Sequence, residues 1–154
     1  MAKKKFYLTK EELKRVKKEY QNLQSLKMLK TKAEAPNIWQ SEDLNPEYLS
    51  FLEDVSLLEA RMADLDYMIE NAEIIKIPPK DKQDIVEVGA KITVEVDGQL
   101  DEFQIVGTSE ANPAMGKISN ESPVGKSFLG HKAGDEVVVN SPITTIYKIK
   151  KVNY

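Results

Sequence analysis

Two hydrophobic periods divide the chain. Apolar residues first recur at Leu13, Val16, Tyr20, Leu23, Leu26 and Leu29, the repeat of one helix face. This stripe begins as a heptad seam and then slips into a run of threes. Thr9 and Glu12 match a capping box, with Leu8 and Leu13 at the staple positions. A stricter repeat follows. Tyr48, Val55, Met62 and Ile69 hold one heptad position, and Phe51, Leu58, Leu65 and Ala72 hold the other. Asn45 suits an N-cap and Pro46 the first helical position, where its missing N–H costs nothing. The spacing predicts a second helix over residues 46–73, about 40 Å long. Two such helices joined by a polar connection predict an antiparallel coiled-coil hairpin with its tip near residues 36–45. The slipped stripe, set against a strict one, predicts local bending near Leu26 to Lys30.

The helical period stops before Ile77-Pro78-Pro79, a rigid linker signal. Beyond it the pattern alternates. Lys91 to Val96 reads as a strand, Asp97-Gly98 as a hairpin turn and Phe103 to Val106 as the return strand. Glu136 to Asn140 and Ile143 to Val152 predict further strands, and Pro123 to Leu129 a short helix. The expected organisation is α+β: a hairpin over residues 1–76, a linker over 77–83 and a small antiparallel β-sheet domain with a short helix over 84–154.

Composition narrows the chemistry. The chain has 154 residues, 41% hydrophobic and 31% charged, with net charge −3. It suits a generic nucleic-acid binder poorly unless a local patch does the work. Without cysteine there is no disulfide framework or thiolate metal site, and a single histidine argues against zinc. No apolar run approaches a membrane span, and the start MAKKKFYLTK lacks a hydrophobic signal core, so a cytoplasmic protein without a membrane partner is expected. Lys3, Lys4 and Lys5 read as a solvated terminus, with a short basic arm as the alternative, and His131 reads as a surface or turn residue. No serine sits in a nucleophile elbow, and Gly125-Lys126-Ser127 lacks the upstream glycine of a phosphate-binding loop. A self-contained active site is not expected.

The predicted tip is different. Glu42, Asp43 and Glu47 crowd the connection between the helices. Acidic loops are common, but carboxylates on a long hairpin can also be delivered into another molecule's cavity, where hard cations such as magnesium accept oxygen ligands. Lys27, Lys30 and Lys32 form either a solvated face or a basic patch that guides RNA. Trp39 either docks a partner or base or folds over the hairpin end.

The second half carries a more specific pattern. Ile118-Ser119-Asn120-Glu121-Ser122-Pro123-Val124-Gly125-Lys126-Ser127-Phe128-Leu129-Gly130, followed by Gly134-Asp135-Glu136-Val137, resembles the signature of the bacterial Gre transcript-cleavage factors. Tyr7-Leu8-Thr9 and the helix-two stretch from Leu58 to Ala72 are similar to that family too. The resemblance implies a coiled-coil hairpin followed by a domain of FK506-binding-protein-like (FKBP-like) fold. It implies bacterial RNA polymerase as partner, with the C-terminal domain docking at the rim of the secondary channel. In this family the hairpin enters the channel, where its tip acids help the polymerase bind Mg2+ and cleave the displaced RNA 3′ end. On that resemblance Ser119, Ser122, Pro123, Gly125 and Leu129 belong to the docking segment, and Mg2+ is expected only in the complex.

The family's tip reads approximately Asp-Leu-x-Glu-Asn-Ala-Glu-Tyr. A gapless match ending at Asn45-Pro46-Glu47-Tyr48 puts Ser41 and Leu44 at the two acid positions. A match beginning at Asp43-Leu44 retains Asp43, omits the second acid and sets Glu47 on the later, helical glutamate. Asp43 is therefore the expected metal-proximal acid, with Glu42 or Glu47 as the second carboxylate. Two other readings remain: a channel-binding relative that modulates transcription without cleavage, and prolyl isomerisation, suggested by the implied fold alone.

Overall fold

The computed structural model describes residues 2–33, 46–140 and 142–154. In chain order the elements are β1 (Phe6–Leu8), α1 (Lys10–Ala33), α2 (Pro46–Glu70), β2 (Ala72–Ile74), β3 (Lys91–Val96), β4 (Gln99–Val106), β5 (Lys117–Ser119), α3 (Pro123–Phe128), β6 (Glu136–Asn140) and β7 (Thr144–Asn153). The architecture is α+β. Two compact units are present: residues 13–71, and residues 2–12 together with 72–154. Among the described residues no helix is long and apolar enough to cross a membrane.

In the helical unit, α2 behaves as its pattern requires. Tyr48, Phe51, Val55, Leu58, Met62 and Ile69 are half-buried, and Leu65 is fully buried. Across the unit Arg61 Nη2 lies 2.8 Å from Glu19, Lys27 Nζ 2.8 Å from Glu59 and Lys30 Nζ 3.1 Å from Asp54. Numbers that rise on one helix while falling on the other make the pair antiparallel. Strict heptad layers then set Leu13 opposite Ile69, Val16 opposite Leu65, Tyr20 opposite Met62 and Leu23 opposite Leu58. The next two layers of α1 are Lys27 and Lys30, opposite Val55 and Phe51. Leu26 and Leu29, expected in the seam, are exposed instead. The apolar stripe slips but the helix does not follow it. α1 runs unbroken through this stretch, and the lysine stems occupy the seam while their ammonium groups reach carboxylates on its rim.

α2 stops earlier than its repeat. It ends at Glu70, where the backbone and side-chain amides of Asn71 donate to Tyr67 O at 3.2 and 2.8 Å. Ala72, the last heptad position, opens β2, which pairs in parallel with β1 in the register Phe6↔Ala72, Tyr7↔Glu73, Leu8↔Ile74. The unit boundary therefore differs from the expected break at residue 76. Residues 2–12 and 72–76 belong with the β unit because their backbones bond to each other and their side chains bond within it. Thr9 caps α1 by accepting from Glu12 N at 3.1 Å. Glu110 Oε1 accepts from the Thr9 hydroxyl at 2.6 Å, and Ser109 Oγ donates to Glu12 Oε1 at 2.7 Å.

The second sheet has the order β5-β4-β3-β7-β6. Four strands are antiparallel, and β5 adds a parallel edge to β4 through Gln104↔Lys117 to Val106↔Ser119. The β3–β4 turn has Asp97 at φ 52° and Gly98 at φ 75°, both left-handed as a two-residue hairpin requires. Alternation puts Ile92, Val94, Ile105, Val137, Val139 and Ile149 on the inner face, buried around Phe128 of α3. Phe128 lies 5.3 Å from Tyr147, edge-on, and 6.4 Å from Phe103. The Tyr154 hydroxyl donates to Ile85 O and accepts from Glu87 N at 2.9 Å, pinning the chain that leads into β3.

Phe128 is fully buried at the centre of the core, with Val124 of α3 packed beside it. Phe128→Ala should cost about 3–5 kcal/mol, read as a lower urea midpoint at unchanged slope.

Candidate functional site

The segment from Ser119 to Leu129 starts as an edge strand and must turn within three residues into a helix. Ser122 organises that turn. Its hydroxyl donates to Ser119 O at 2.7 Å and accepts from Gly125 N at 3.1 Å, so one side chain closes the turn and caps α3. Pro123 takes the first helical position. Gly125 is buried against the strand end, and a Cβ there would sit 2.0 Å from Ser119 O. Ser127 Oγ donates to Pro123 O at 2.7 Å. The residues of the signature are thus brought together, and Ser119, Ser122 and Gly125 hold one another in place. Leu129 is half-buried against the core and borders a groove of about 740 Å³ with Tyr7, Ile74, Ile85 and Val88. Pro123, Glu121 and Lys126 are the exposed members of this stretch.

A second layer, not signalled by any sequence motif, anchors the turn. Thr108 Oγ1 lies 2.9 Å from Ser119 Oγ and donates to Glu121 Oε2 at 2.8 Å. Lys4 Nζ approaches the same carboxylate at 3.5 Å. The Thr108 hydroxyl first, and Lys4 after it, hold the Glu121 carboxyl below the usual glutamate range. The Lys4 and Lys5 side chains are more than half exposed, as a solvated terminus requires, while Lys4 pairs with Glu121 and Lys5 with Glu73 at 2.8 Å. His131 is half-buried, with Nδ1 3.3 Å from Asp135.

Of the tip residues, Glu47 is exposed in the first turn of α2. Glu42, Asp43 and Trp39 lie outside the described residues. Lys32 is exposed, whereas Lys27 and Lys30 are engaged by Glu59 and Asp54. Among the described residues no group of three or more His, Cys, Asp or Glu side chains could hold a metal ion.

Known proteins bear on this arrangement directly. The family model for "Transcription elongation factor, GreA/GreB, C-term" matches residues 80–154. A transcription elongation factor GreA from Thermomicrobium roseum is 32% identical over 148 residues, 95% of each chain. One from Clostridium acetobutylicum is 38% identical over 144 residues, 90% of each chain. The chain belongs to the GreA/GreB family of transcription elongation factors. Among solved structures, GreA factor homolog 1 of Thermus thermophilus aligns over 98% of this chain and 100% of its own, at 22% identity and TM-score 0.44. The residues matched by the family model include the capped strand-to-helix turn from Ser119 to Phe128.

Ser122→Ala should cost about 1 kcal/mol, and Gly125→Ala more, because the clash is with backbone; urea midpoints of both variants check the order. Glu121 titrates below its unfolded value. Its contribution is full above the ordinary glutamate range and is lost as pH falls through the depressed folded value. The stabilities of wild type and Glu121→Gln should therefore differ at neutral pH and converge on acidification.

Proposed function

We propose that this protein binds bacterial RNA polymerase, places its helical hairpin in the secondary channel and stimulates cleavage of backtracked RNA by the polymerase active site. The observation that carries this reading is coverage. The two GreA relatives named above match nine-tenths or more of this chain and of their own, which supports a shared hairpin and β domain. Asp43 is the proposed metal-proximal acid, with Glu42 or Glu47 as the second carboxylate. Their oxygen donors suit Mg2+, held jointly with polymerase carboxylates; when bound there, the ion supplies activation of water for phosphodiester hydrolysis. The protein's own part is to deliver and orient carboxylates, not to run a separate reaction.

Docking at the channel rim is assigned to the segment from Ser119 to Leu129. Within it Ser119, Ser122 and Gly125 shape the surface, and Pro123, Glu121 and Lys126 present it. Lys32, with Lys27 and Lys30, is the proposed guide for the RNA 3′ end. Isomerase chemistry has little support: aliphatic side chains dominate the groove beside Leu129, and Tyr7 is its aromatic residue.

A second reading has its own observation. Ser41 and Leu44 stand at the two acid positions of the gapless tip match, which favours a factor that occupies the channel and modulates synthesis without cleavage. Stalled, backtracked polymerase complexes incubated with the protein and Mg2+ separate the two. Release of short 3′ RNA fragments is expected, and Asp43→Ala should reduce it about tenfold or more. Binding without release would establish the second reading instead.

A further inference from the structure

The lower hairpin layers are apolar, but the last two described in α1 are inverted. The Lys27 and Lys30 side chains are 34% and 20% exposed, while their neighbours Leu26 and Leu29 are 50% and 65% exposed. Cations occupy the seam and leucines face solvent. The same stretch of sequence can satisfy either arrangement. Counting from Leu23, a step of four reaches Lys27, and a step of three reaches Leu26 and then Leu29. The first keeps the heptad. The second overwinds the helix locally, as an inserted three-residue step does. Each arrangement gains what the other gives up. In one, two ion pairs hold Glu59 and Asp54, which are both more than half exposed. In the other, two leucines are buried against Val55 and Phe51.

We propose that the distal turns of α1 form a two-position element, in which rotation by about one residue exchanges Lys27 and Lys30 for Leu26 and Leu29 in the seam. Ionic strength sets the balance. Salt weakens the partly exposed ion pairs and leaves leucine burial nearly unchanged. In the rotated position both ammonium groups leave the rim carboxylates and become available to an anionic partner. This element stands on the geometry of the helical unit alone, so it survives or fails independently of the polymerase reading.

Two experiments on the full chain test it. In the first, Glu59→Gln combined with Asp54→Asn removes both carboxylates, and lysine acetylation is followed by mass spectrometry with exposed Lys18 as internal reference. Reactivity at Lys27 and Lys30 should rise by about threefold or more. Adding Leu26→Gln and Leu29→Gln should abolish that rise, because the rotated state then has nothing to bury. An undiminished rise would mean that the lysines are freed by unpairing alone and would overturn the proposal. The second experiment uses the absence of native cysteine. Leu26→Cys with Val55→Cys should form a disulfide faster as salt is raised, and Lys27→Cys with Val55→Cys more slowly. Salt-independent rates for both pairs would sink the idea even if the glutamine variants proved unstable.

Discussion

The parallel pairing of β1 with β2 closes the chain from Thr9 to Asn71 at its base. Closing so long a segment carries an entropic cost that grows only slowly with length, but three-residue strands offer little to offset it. The surrounding bonds supply the difference. Leu8 is fully buried, Ile75 N donates to Leu8 O at 2.9 Å, and Glu110 and Ser109 bond the first turn of α1. Residues 2–12 and 72–76, which flank the helical segment in sequence, are thus held together within the β unit.

The sequence from Ser119 to Phe128 has a physical reason inside this molecule. A parallel edge strand that must reverse into a helix leaves a strand-end carbonyl and the first helical N–H groups without regular partners. Ser122 satisfies one of each, and Gly125 lets the two segments approach within ordinary backbone contact. Stability of the turn therefore draws on very few residues. A variant at Ser122 or Gly125 disturbs the turn itself, whereas the Pro123 and Lys126 side chains are exposed.

Legibility in the sequence followed locality. Lys91–Val96 and Glu136–Asn140 carry their own alternation, Asp97-Gly98 its own turn geometry and Pro46 its own helix start, so each could be read without its neighbours. β1 and β2 could not, because three residues have no period and their pairing spans the whole hairpin. Ala72 fits the heptad but pairs with Phe6 instead, a long-range contact overriding a local repeat. Leu26 and Leu29 failed for the opposite reason. Their hydrophobicity predicts burial, yet the apolar layers from Leu13 to Leu23 fix the helix phase before they are reached. Of the candidate site, the signature and the acids were visible as residue types. Thr108, Ser109 and Glu110 were not, since nothing in a Thr-Ser-Glu stretch signals that it will clamp a distant helix start.

The strand order β5-β4-β3-β7-β6 places the latest-synthesised strand in the interior of the sheet. As the chain emerges, β3 and β4 can zip as a local hairpin and β5 can join them. β6 has no neighbour until β7 arrives between it and β3. Val137 and Val139, buried in the finished core, therefore have no sheet to join until β7 is in place. The vulnerable interval in folding is the one before β7 docks, when a half-built sheet has an unpaired β3 edge and an apolar strand with nowhere yet to go.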